Sequence, residues 1–117
     1  MFDAKKIIGD ELSSIEGVHV SDFYPSDFSK LPHIAFYEQS NREGQPAIPG
    51  VLTEIVFQID IWHDRSTGPI AQVVNEKMNE MGLRRDLSAD LPDPSGLKRK
   101  TMRFRGIVDS RTNLVYQ

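Results

Sequence analysis

The amino-acid sequence predicts an α+β fold: a two-layer sandwich in which a mainly antiparallel β-sheet has two helices packed on one face. Three observations predict it. The first is the stretch 53–64, TEIVFQIDIWHD, where Ile55, Phe57, Ile59 and Ile61 take one parity and Glu54, Gln58, Asp60 and Trp62 the other, with Val56 the one small apolar exception. Such alternation is a strand with one face in a core and the other in a different environment. Burying four large apolar side chains of this kind stabilises by roughly 6–12 kcal/mol before entropy is subtracted, so this is the central strand. The second observation is that further strand-like stretches follow one another in hairpin-like succession. The third is a pair of amphipathic helical stretches, one near the N-terminus and one directly after the central strand, able to cover one face of the sheet.

Composition bounds the possibilities. A chain of 117 residues is one domain, 1–117, with a single modest core. Its 38% hydrophobic and 26% charged residues describe a globular chain. A net charge of −3 argues against a general nucleic-acid binder, which is usually basic. The absence of cysteine excludes disulfide scaffolds, thiolate metal sites and cysteine nucleophiles. The opening residues, MFDAKK, lead into an amphipathic pattern and predict neither a signal peptide nor a membrane span. No membrane partner is expected, and synthesis and use in a cytoplasm are.

Residues 3–15 read as the first helix, with Phe2, Ile7, Ile8, Leu12 and Ile15 near helical spacing, Asp3 as N-cap and Gly17 as stop. Residues 18–24 read as a short strand ended by Pro25. A loop bracketed by Pro25 and Pro32 follows, with Phe28 and Leu31 expected to tuck onto the core. Residues 33–39 are a second strand, with Ile34, Phe36 and Glu38 on one face and Ala35 and Tyr37 on the other. Residues 40–50, SNREGQPAIPG, have no periodicity and exceed the usual hairpin loop, which predicts an extended, mobile arm. After the central strand, Pro69 opens a second helix that runs to about Met81. Ile70, Val73, Val74, Met78 and Met81 line one side of it, and Gly82 stops it. A short strand at 83–87 and a second long loop at 86–96 come next. Residues 97–108 form the last long strand, and the tail suggests an edge strand through Leu114 and Tyr116.

Chemistry is sparse along the chain. His19, His33 and His63 are scattered, and His63-Asp64 with Asp60 is the nearest thing to a ligand set, without the spacing of a metal motif. Asp86, Asp90 and Asp93 fall in the expected loop, unlike a carboxylate pair held on rigid elements. No serine sits in a nucleophile elbow and no glycine cluster resembles a phosphate loop. No catalytic residue, metal or cofactor is therefore assigned. The stretch 97–105, LKRKTMRFR, is the most basic. Either Arg99, Arg103 and Arg105 face outward while Met102 and Phe104 enter the core, or the stretch is an electrostatic or nucleic-acid face. Trp62 sits on the polar parity, so either the rim of the sheet covers it or it anchors an interface.

The layout of LPHIAFYE at 31–38, a long variable loop, FQIDIWHD at 57–64, a glycine turn, an amphipathic helix and RFRGIVD at 103–109 resembles the tail-completion proteins (tail terminators, head–tail joining proteins) of long-tailed bacteriophages and prophages. The resemblance implies a virion protein of the tail or neck, assembled in the host cytoplasm. It implies a homo-oligomeric ring, commonly a hexamer, at the head-proximal end of the tail tube, which ends tube growth and joins tail to head. Its partners are then further copies of itself, the tail tube protein and the head–tail connector protein, with DNA passing through the lumen. The family brings no catalytic residues. Its loop and edge contacts map by position onto residues 40–50, including Arg42, Glu43 and Ile48, and onto residues 86–96. Charge segregation suggests that Arg99, Arg103 and Arg105 of one subunit face the 86–93 segment of the next, a head-to-tail contact of the kind that closes rings. A small nucleic-acid-binding module using strand 98–105 and a small enzyme of unrecognised type are the alternatives.

Overall fold

A computed structural model of the chain describes residues 3–43, 52–109 and 114–116. Helix α1 (Ala4–Ser13) is followed by strands β1 (His19–Ser21), β2 (His33–Glu43) and β3 (Leu52–His63), then helix α2 (Gly68–Glu80) and strands β4 (Arg84–Leu91), β5 (Lys98–Asp109) and β6 (Leu114–Tyr116). The strands form one sheet in the order β1-β2-β3-β5-β4, with β6 also on β5. All pairs are antiparallel except β1–β2, so the sheet is mixed at one edge. On its side away from β3, β5 holds β4 along residues 99–105 and β6 along residues 107–109, so β6 continues the edge begun by β4. The α+β sandwich, its central strand and its last edge strand are as the sequence predicts.

One face of the sheet holds the main core. Ile55, Phe57, Ile59 and Ile61 of β3 are all buried there, opposite Ile34 and Phe36 of β2 and beside Met102 and Phe104 of β5. Ala4, Ile8 and Leu12 of α1 and Ala71, Val74 and Met78 of α2 close it from above. The Asp3 carboxylate caps α1 by accepting the Lys6 amide proton at 3.4 Å, which occupies one of the donors that a helix start leaves free. Gly9 faces Phe36 so closely that a Cβ there would lie 2.9 Å from the ring, and the missing side chain is what lets α1 settle on β2. Gly82, at φ +93°, takes the left-handed conformation that ends α2. The helix stripes are turned slightly from expectation. Ile7 and Val73 face solvent, while Ala4 and Ala71 are in the core.

Four sequence expectations are corrected. The strand expected at 18–24 is only three residues long, because Ser21 Oγ donates to the Phe23 carbonyl at 2.7 Å and turns the chain locally. The arm expected at 40–50 starts later. Strand β2 continues through a bulge between Glu38 and Ser40, and Asn41, Arg42 and Glu43 pair with Ile55, Glu54 and Thr53. The remainder of that expected arm, with Ile48, lies outside the described residues. The loop expected at 86–96 is a strand over most of its length, since β4 runs to Leu91 and places Asp86 and Asp90 on the sheet. Phe28 does pack inward, but on the face of the sheet opposite the helices.

Candidate functional site: the open face of the sheet

The face away from the helices carries the second parity of each strand. Cross-strand rows run His33–Trp62–Arg99–Leu91, Ala35–Asp60–Thr101–Ala89, and Tyr37–Gln58–Arg103–Leu87. Here the chain arranges most of its organised polar chemistry.

Trp62 is fully buried in the first row. Tyr24 and Phe28, from the loop between β1 and β2, stand over it with ring centroids 5.4 and 5.5 Å away, and the Arg99 guanidinium lies 5.0 Å from its centre on the ring face. Its indole Nε1 donates to Asp93 Oδ1 at 3.2 Å. Of the two readings left open for Trp62, burial by the rim of the chain's own sheet is the one observed, so it is not an exposed interface anchor.

Beside it lies a buried ionic cluster. The Asp60 side chain is wholly inaccessible, receives Arg99 Nη2 at 2.7 Å and accepts Gln58 Nε2 on both oxygens at 3.1 Å. Gln39 in turn donates to Gln58 Oε1 at 2.7 Å. Arg99 reaches Asp93 with its other terminal nitrogen at 3.4 Å. Asp93 also accepts the Ser95 amide at 3.0 Å and the Ser95 hydroxyl, and this ties the 92–97 turn to the sheet. Burial alone raises the pKa of Asp93. The hydrogen bonds from Ser95 and Trp62 and the charge of Arg99 outweigh that and hold it below the usual carboxylate range. Burial likewise works against the charge on Arg99, and Asp60 and Asp93 more than offset it. Tyr37, above this cluster, is pushed up to about 12 by burial and then by Asp60, against the opposing charge of Arg99.

A second cluster lies toward the β4 edge. Asp86, at the bulge between Arg85 and Leu87, receives Arg103 Nε at 2.8 Å and Arg105 Nε at 2.6 Å. Burial pushes Asp86 up and the two guanidiniums bring it below its ordinary value. Lys100 meets Asp90 at 3.2 Å on the helix side of the sheet, and Arg42 meets Glu54 at 3.1 Å. The pairing expected between subunits is therefore corrected: Arg99, Arg103 and Arg105 find their acids within one chain. Met102 and Phe104 enter the core and Arg103 and Arg105 are partly exposed on the opposite face, as one reading expected, whereas Arg99 is largely covered beside Asp60 and Trp62.

The histidines stay apart from this chemistry. Asp60 is committed to Arg99 and Gln58 on the open face, whereas His63 takes the other parity and its Nδ1 accepts the Asp64 amide at 3.1 Å. His33 Nε2 lies 2.9 Å from Ser21 Oγ. Because Ser21 already donates to Phe23, His33 is the donor in that contact, which leaves Nδ1 unprotonated and Ser21 unactivated. Among the described residues no three His, Asp or Glu side chains converge as metal ligands. A groove of about 490 Å³ runs between α2 and the β4–β5 edge, bordered by Ala71, Asn75, Glu76, Arg85, Lys100 and Met102.

Sequence reasoning missed Tyr24 and the cross-strand partners. The signal for the aromatic lid was present as Phe23, Tyr24 and Phe28 in a short stretch around Pro25. The fold and this face define an α+β sandwich with a helix-covered side and an ion-paired open side. No protein-family model matches the chain, and no curated protein matches it.

Proposed function

We propose that the chain is a structural protein of a bacteriophage or prophage tail, forming a ring at the head-proximal end of the tail tube that ends tube growth and joins tail to head. The open face supports this reading. Its charges are held by partners on neighbouring strands, so the surface is rigid, polar and presented by strands instead of by a cleft. Such a surface suits stacking of subunits on a tube or connector. The α+β fold is also the class that the resemblance implies. The intrachain pairing of Arg99, Arg103 and Arg105 weighs against a phosphate-binding face, because each guanidinium already meets a carboxylate of its own chain, Arg103 and Arg105 sharing that of Asp86.

Deleting the gene from a phage-producing strain tests the proposal. Overlong tails and separate, DNA-filled heads are the expected products in electron micrographs. Intact, infectious virions from the deletion strain would overturn it.

A further inference from the structure

Strand β4 ends the sheet, and among the described residues no strand lies beyond it. The other edge, β1, has three residues, while β4 has eight, seven of them exposed and Ala89 half-buried. A long unpaired edge is a template for another strand. Its usable part is bounded. The bulge at Asp86 breaks the strand on one side and Pro92, which lacks an amide donor, stops it on the other. Between them lies Leu87-Ser88-Ala89-Asp90-Leu91. Leu87, Ala89 and Leu91 face the open side, and each leucine is 40% exposed. Ser88 and Asp90 face the helix side.

We propose that this edge pairs with the same edge of a second copy of the chain, antiparallel, about a two-fold axis through Ala89. The segment itself selects that register. Directly opposed residues in an antiparallel pair must share a face of the sheet. Centring the axis between two residues breaks that condition, because it sets open-side leucines against helix-side Ser88 or Asp90. Centring on Ser88 sets Leu87 against Ala89 and Leu91 against Arg85, and centring on Asp90 sets that carboxylate against its own copy and Leu91 against Ala89, so neither opposes leucine to leucine. Only the axis at Ala89 sets Leu87 against Leu91 and Ser88 against Asp90. The leucines then form one apolar strip across the junction, and a hydroxyl meets each Asp90 carboxylate. The contact is isologous and closes on itself, so it yields a dimer and not a fibre. It goes beyond the tail reading and holds or fails independently of what the chain builds.

The chain has no cysteine, so one introduced thiol reports the axis. Opposed Cβ atoms in such a pair lie about 4.5–5.5 Å apart, within reach of a short thiol cross-linker. Ala89→Cys should give a covalent species of twice the 13.3 kDa chain mass, and Ser13→Cys on exposed α1 should not. In light scattering, wild type should be dimeric at high micromolar concentration and Leu87→Lys/Leu91→Lys monomeric. Leu87→Glu/Leu91→Lys, which sets an acid opposite a base in this register, should be dimeric again. A monomeric wild type, equal cross-linking at both thiols, or a dimer indifferent to the paired lysines would overturn the proposal. Circular dichroism checks that the charged variants are folded, and where one is not, the thiol result decides.

Discussion

Arg99 does three jobs at once: it neutralises Asp60, reaches Asp93 and lies over Trp62. A fully buried carboxylate is tolerated only with such a partner. Arg99→Ala should therefore lower unfolding free energy by about 3–5 kcal/mol, because Asp60 is left charged and unpaired. Asp60→Leu/Arg99→Met should recover much of that loss, as removing both charges of a buried pair commonly does. Denaturant melts of the variants measure both effects, and an Arg99→Ala protein as stable as wild type would refute the cluster. None of this was legible in the sequence. Asp60 and Arg99 are 39 positions apart, and only the strand register sets them together.

His33 adds a pH dependence. Burial, then nearby His19, lowers its pKa against the opposing pull of Asp27, and its Nδ1 is buried without a partner among the described residues. The unfolded chain takes up the proton at about 6.5, before the folded chain does. Stability from this group is therefore present above that value and is lost as pH falls through it toward the folded pKa. Thermal melts of wild type should show a falling midpoint below about pH 6.5, and His33→Asn should flatten that part of the curve. An unchanged slope in the variant would exclude His33 as its source. At lower pH, Asp86 and Asp93 act in the same sense. Each has a depressed pKa, so its contribution holds above the ordinary carboxylate value and is lost as pH falls through the folded one.

At the level of elements, β3 was readable because one of its faces is uniformly apolar. Strand β4 was readable only in its first half, for a physical reason. An edge strand with solvent on both sides needs no apolar alternation, and the bulge at Asp86 breaks the parity of what remains. Charges that mark a loop in a sequence window turn out to be cross-strand partners. The meeting of α1 and β2 was equally hidden, since a glycine inside a helix reads as a weakness. Gly9→Ala should raise helix propensity by about 1 kcal/mol and yet destabilise the protein by roughly 1–3 kcal/mol overall, because the added methyl meets the Phe36 ring. Pairing it with Phe36→Leu should relieve the clash. A more stable Gly9→Ala single variant in denaturant melts would contradict this packing.

For the whole molecule, the helix-covered face is what composition and periodicity foretold in outline, whereas the ion pairing within the open face is not. The sequence could not show that the open face is closed at one end by the Tyr24–Phe28–Trp62 cluster, so that its available surface lies around Leu87, Arg103 and Arg105. In a tail-completing protein, such a surface would meet other protein subunits. The most direct measurement adds the purified chain to tail tubes assembled without it and follows tube length and tube ends by electron microscopy. The account predicts a ring of density at one end and an end to further growth; tubes that keep lengthening with bare ends would contradict it.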